Sequence, residues 1–215
     1  MLQLLAGINS ILFDLDGTLY VCDPLAREIK LLAGRYIASL TGIETGAGMQ
    51  LIIETQKRLS LLGHREATLT EACLELGGDL KQLHRFFADA LRPELFLKSD
   101  PHLVKLLRRL EHQYELYIYT NNNRALTEKI LNCLALSGLF RQIFTIEDFW
   151  QPKPDSGVLE SIFARIDRKP VKCLFIGDRY DVDLRLPAQM GSSIFLSKSV
   201  QELLALLETL HVGGV

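Results

Sequence analysis

Two carboxylates two positions apart, Asp14 and Asp16, close the apolar run Ile11-Leu12-Phe13 and are followed at once by Gly17 and Thr18. On an extended segment, side chains two apart point to the same side, so both acids converge on one bound group. A buried pair of like charges is costly unless a metal ion, a cation or a shared proton balances it. The pair therefore suits hard-cation binding, or acid–base chemistry with one carboxylate ionised and its neighbour protonated. Three further clusters point the same way. Thr120 and Asn121 end the apolar stretch Glu115–Tyr119, where a hydroxyl and the backbone amides of a following helix suit an anionic oxygen. Lys153 is braced by Pro152 and Pro154, which makes it a fixed ammonium. Gly177-Asp178, with Asp181 and Asp183, offers oxygen ligands of the kind a hard cation takes. Each cluster alone also has a plainer reading, as an Asp-Gly turn, a helix N-cap or a solvated loop lysine.

The elements that must position these groups are legible from periodicity. Strands are expected at Ile11–Phe13, Glu115–Tyr119, Ile143–Thr145, Lys172–Ile176 and Ile194–Leu196. Helical spacing begins at Asp23-Pro24 with Leu25, Ile29, Leu32, Tyr36 and Leu40, and continues over Met49–Leu62, Thr70–Leu76 and Leu80–Ala90. Gly42–Gly48 lacks the Gly-Lys-Ser/Thr end of a P-loop and reads as a flexible connection. Asp100-Pro101 starts another helix, Arg124–Leu136 stops at Ser137-Gly138, and Asp155 and Ser199 cap two more. Alternating strands and helices predict an α/β doubly wound parallel sheet, with every cluster at a strand's carboxyl end and an all-helical insertion after the first strand. His84, His102, His112 and His211 show no metal-ligand spacing.

Asp14-Leu15-Asp16-Gly17-Thr18-Leu19 is similar to the signature of the haloacid dehalogenase-like (HAD) phosphohydrolases, and Thr120-Asn121, Lys153 and Gly177-Asp178 follow in that family's order. The resemblance covers Ile11 to about Gly191. It implies a Rossmann-like core at residues 1–19 and 98–215, a helical cap at 20–97, and Mg²⁺-dependent hydrolysis of a small phosphomonoester through an aspartyl-phosphate. In that scheme Asp14 is the nucleophile and Asp16 the general acid and base. Thr120 and Lys153 hold the phosphoryl group with Gly17 and Asn121, and Mg²⁺ lies among Asp14, the carbonyl of Asp16 and Asp178. Asp183 or Asp181 would orient Lys153 or metal-bound water. Tyr20, Arg58, His64 and Arg65 are the cap candidates for reaching the substrate, with a solvated or packing side chain as the alternative reading of each. Arg179, where the family has a small residue, and the Leu186-Pro187 break depart from the pattern. Asp16 speaks against a dehalogenase, which has no second carboxylate there. A sugar phosphomutase of the same family is the alternative, and a phospho-accepting signalling or binding module is the alternative of another class. The substrate leans to a nucleoside monophosphate, as Tyr20 after the signature resembles the pyrimidine 5'-nucleotidase branch, with phosphoglycolate or a sugar phosphate equally suited to the cap's length.

Bulk properties narrow the partners. A net charge of -2 over 215 residues, with no polybasic run, gives no electrostatic reason for nucleic acid or anionic membrane. Cys22, Cys73, Cys133 and Cys173 are far apart and sit in apolar surroundings, as reduced thiols do. Met1–Ala6 has no basic segment and is expected to run directly into the first strand, and no stretch approaches the length of a membrane span. A cytoplasmic monomer or homodimer acting on a small-molecule phosphate ester is the expectation.

Overall fold

The short apolar segment Ser10–Phe13 forms strand β1 and is buried along its whole length. It lies at the centre of a five-stranded parallel sheet of order β3-β2-β1-β4-β5, completed by β2 (Glu115–Tyr119), β3 (Gln142–Phe144), β4 (Cys173–Gly177) and β5 (Ser193–Leu196). The computed structural model describes residues 7–213, so the expectation for Met1–Ala6 lies outside it. Phe13 pairs with Ile118 on one side and Ile176 on the other, so the carboxyl ends of β1, β2 and β4 are level. Parallel sheets of this kind bind ligands beyond those ends.

In sequence, the chain between β1 and β2 carries α1 (Asp23–Thr41), α2 (Thr45–Gly63), α3 (Leu69–Glu75) and α4 (Leu80–Ala90). They form the helical cap. The Gly42–Gly48 stretch is not a flexible connection beyond its first residues, because α2 already begins at Thr45. A Cβ on Gly48 would lie 2.4 Å from the carbonyl oxygen of Gly34 in α1, so the glycines let two backbones approach. That close packing offsets their poor helix propensity. Thr68 and Glu71 make a capping box at the start of α3, and Asp79 caps α4.

The remaining helices are α5 (Pro101–Leu110), α6 (Arg124–Cys133), α7 (Ser156–Ile166), α8 (Arg185–Gln189) and α9 (Val200–Gly213). The expected helix to Leu136 stops at Cys133, since Ala135 turns left-handed with φ 58°. Strand alternation divides the core. Ile11, Phe13, Ile118 and Leu174 join the apolar faces of α5, α6 and α9, while Leu12, Tyr117, Tyr119 and Phe175 join α7. The first cluster continues through Leu19, Leu25, Leu83, Phe87 and Leu91, so the cap is seated on the core by apolar packing. All four cysteines are free, with Cys73 and Cys173 buried. Among the described residues no helix is long and apolar enough to cross a membrane.

Candidate active site

Chain geometry alone brings the predicted acids together. The amide of Asp14 donates to the carbonyl of Ile176 at 2.8 Å, carrying the β1–β4 ladder one residue past the strand, and the Thr120 amide does the same towards Phe144 at 2.9 Å. Lys153 arrives from the loop after β3 with its side chain almost wholly buried. Its ammonium donates to Asp14 Oδ1 at 2.7 Å and to Asp183 Oδ1 at 2.9 Å, and lies 4.6 Å from the centre of the Tyr119 ring. Burial works against the charge on Lys153, but Asp14 and Asp183 outweigh it and hold the ammonium protonated, above its ordinary pKa.

Asp14 is 7% exposed. Burial, and then the neighbouring Asp183, push its pKa up to about 7, against the lowering effect of Lys153. Burial likewise raises Asp178 to about 6, although Arg179 opposes it. Asp16 is also raised by burial, against hydrogen bonds that favour its charge. Those bonds come from the Tyr20 hydroxyl to Oδ1 and from Asn122 Nδ2 to Oδ2, the latter at 2.6 Å.

Asp181 and Asp183 differ in direction. The segment Tyr180–Leu184 is a single π-helical turn, on which residues two apart face opposite ways. Asp183 points inward, holding Lys153 and accepting from the Arg179 amide at 3.2 Å. Asp181 points towards the cap instead, accepting from the Glu66 amide at 3.2 Å. Two glycines make room for these acids: Gly17 has φ +82° and a Cβ there would meet Asp178 Oδ2 at 2.4 Å, while one on Gly177 would meet the Asp183 Cβ at 2.5 Å.

The other predicted residues are placed as follows. Thr120 is buried, and its hydroxyl oxygen accepts from the Asn122 amide at 3.1 Å. Asn121 receives the Lys153 amide on its side-chain oxygen at 2.8 Å, so it positions the lysine loop. Of the cap candidates, Tyr20 meets Asp16, whereas Arg58 pairs with Glu75 and Arg65 with Glu71, and His64 is the exposed C-cap of α2. Asn122 had no predicted role. Its signal was its place in the Asn121–Asn123 run two residues past Thr120, but three adjacent asparagines do not say which one turns inward.

Carboxylate oxygens of Asp14, Asp178 and Asp183 lie within 4.8 Å of one another. Asp178 Oδ1 is buried without a hydrogen-bond donor. An all-oxygen set with one unpartnered buried oxygen fits a hard divalent cation.

A central parallel sheet, a helical cap and an aspartate cluster at the strand ends define a hydrolase of the phosphatase type. Residues 8–191 match the haloacid dehalogenase-like hydrolases, and the chain belongs to that family. It is 26% identical over 186 residues to a glyceraldehyde 3-phosphate phosphatase of Methanopyrus kandleri, covering 83% of this chain and 78% of that protein. It is 25% identical over 203 residues to a phosphoglycolate phosphatase of Aquifex aeolicus, covering 87% and 83%. Among solved structures, a HAD phosphatase from Thermococcus onnurineus superposes with a TM-score of 0.59 at 17% identity, over 93% of this chain and 98% of that one. The HAD hydrolase YfnB of Bacillus subtilis gives 0.59 at 22% identity, over 94% and 99%.

Proposed function

We propose that this protein hydrolyses a small phosphorylated metabolite with Asp14 as nucleophile and Asp16 as general acid and base. The observation that carries the reading is the buried chain Asp14–Lys153–Asp183 beside the unpartnered oxygen of Asp178. It concentrates fixed positive charge and cation ligands on one carboxylate at a strand end. An Asp14 oxygen attacks phosphorus and the bond to the ester oxygen breaks, with Asp16 giving that oxygen its proton. Asp16 then takes a proton from water, whose oxygen attacks the aspartyl-phosphate, releases inorganic phosphate and restores Asp14.

Lys153 steadies the phosphoryl oxygens as charge redistributes, and Thr120 and the backbone around Gly17 and Asn121 supply further donors. Asp183 keeps Lys153 in place. Mg²⁺, held by Asp14, Asp178 and the carbonyl of Asp16 with Asp183 close by, would neutralise phosphoryl charge. Burial raises the Asp16 pKa, which favours a carboxyl able to give up a proton, while Tyr20 and Asn122 fix its direction. The cap is taken as residues 20–97 and the core as the remainder. Four free thiols suit the reducing cytoplasm. The named activities of the two curated relatives, on glyceraldehyde 3-phosphate and phosphoglycolate, favour a substrate of similar size.

The test is phosphate release from nucleoside monophosphates, phosphoglycolate, sugar phosphates and an aryl phosphate, with Mg²⁺ or with EDTA, for the wild type and Asp14→Asn. Turnover that requires both the metal and Asp14 supports the reading. A folded wild type that releases phosphate from none of them would sink it, and a phosphorylated sugar product without free phosphate would indicate a mutase.

A further inference from the structure

Cations around the site differ in whether their donors are committed. Lys153 is buried and bound to two carboxylates. Arg65 gives both terminal nitrogens to Glu71, and Lys198 donates to the backbone carbonyl of Asp178 at 2.6 Å. Arg179 is different. Its closest anionic atoms are Asp178 Oδ1 at 3.8 Å and Glu66 Oε1 at 3.9 Å, both too far for hydrogen bonds, and its side chain is 32% exposed. Its backbone is nevertheless fixed, because the amide donates to Asp183 Oδ2 and the carbonyl accepts from the Asp183 amide. An arginine with a fixed backbone, whose guanidinium makes no hydrogen bond among the described residues, thus stands between the aspartate cluster and the cap.

Glu66 approaches it from the cap side. The amide of Glu66 is anchored on Asp181, while its carboxylate is half exposed and faces Arg179 only across that long gap. A loose, solvent-screened pair of this kind is easily exchanged for a ligand anion that bonds the guanidinium in bidentate fashion. The cap carboxylate marks the direction from which such an anion would come. Lys153 lies deeper, beside Asp14, so the phosphoryl group and this second anion occupy different places.

We propose that Arg179 reads the leaving group, and that the preferred substrate carries a second anionic group, carboxylate or phosphate, close to the ester phosphorus, which displaces Glu66 from the guanidinium. This rests on the phosphatase reading of the same site.

Steady-state kinetics would compare phosphoglycolate and pyrophosphate with 2-hydroxyethyl phosphate, which has no second anion, for the wild type, Arg179→Gln, Arg179→Lys and Glu66→Gln. The wild type is expected to favour one of the two charged substrates, the ester phosphoglycolate or the anhydride pyrophosphate, roughly tenfold or more in kcat/KM, and which of the two it favours distinguishes carboxylate from phosphate. Arg179→Gln should bring that ratio near one, chiefly through KM, and Arg179→Lys should retain part of it, which separates recognition from a folding defect. Glu66→Gln should lower KM for the charged ester. Equal use of charged and neutral esters by the wild type, or an unchanged ratio in Arg179→Gln, overturns the proposal. Calorimetric binding of phosphoglycolate and 2-hydroxyethyl phosphate to Asp14→Asn reads the same preference without turnover, so failure of the phosphatase reading and failure of this one give different results.

Discussion

Lys153 and Asp14 meet at 2.7 Å across 139 residues of sequence, both side chains almost completely withdrawn from water. Removing one partner of such a pair leaves an uncompensated buried charge, which costs about 3–5 kcal/mol. Lys153→Met is therefore expected to lose that much stability in urea unfolding, with Asp14 and Asp183 left facing each other, and to lose turnover as well. A variant as stable as the wild type would show that the ammonium is not what balances these acids.

A second expectation concerns acid. His84 in α4 is buried, neither ring nitrogen has a hydrogen-bond partner, and burial lowers its pKa from 6.5 to about 4. The unfolded chain takes up a proton between those values that the folded chain does not. Stability from this group is therefore present above pH 6.5 and falls as pH drops towards 4, by roughly 3 kcal/mol in all. His84→Leu should lose less stability than the wild type between pH 7 and 4.5, by roughly 2–3 kcal/mol. Parallel losses in the two proteins would rule the histidine out as a source of acid sensitivity.

Gly177 is the contact through which the sheet supports the lysine. An alanine there places its Cβ 2.5 Å from that of Asp183, which is buried and must shift, taking a partner from Lys153. Misplacing a positioning group by about 1 Å costs on the order of a hundredfold in rate. Gly177→Ala should show that loss in kcat. Full activity would mean that Asp183 need not hold its place.

Metal binding should be visible without catalysis. Saturating Mg²⁺ is expected to raise the melting temperature, since about 100 times the Kd contributes ~2.7 kcal/mol and thus roughly 5 °C or more in a chain of this size. EDTA should reverse the shift and Asp178→Asn should abolish it. An unchanged melting temperature in the wild type at all Mg²⁺ concentrations would count against a cation among Asp14, Asp178 and Asp183.

The sheet and its acids were legible because they rest on local rules. A short apolar run ending in acid reads as a buried strand with a site at its end, and Asp100 and Asp155, read as helix caps, accept from backbone amides at their helix starts. What was not legible depends on packing across long separations. The glycines of Gly42–Gly48 read as flexible because the close contact of Gly48 with Gly34 involves another helix. Asp183 was put before Asp181 on the resemblance, not on spacing, because a π turn decides which one faces Lys153. The bonds from Tyr20 and Asn122 to Asp16 depend on the cap's first turn meeting the loop after β2, 106 residues from Asp16 in the case of Asn122.

The central place of β1 also shapes how the molecule comes into being on the ribosome. Its two neighbours are β2, beginning at Glu115, and β4, beginning at Cys173, so the strand that leads into Asp14 is translated before either partner and gains its second flank only once β4 has been made. Until β2 is made, the cap helices can close on one another by local contacts while Ile11, Leu12 and Phe13 have no β-partner. The order of synthesis thus leaves β1 waiting for both of its partners, and the site's acids and Lys153 can come together only after Asp183 has been made.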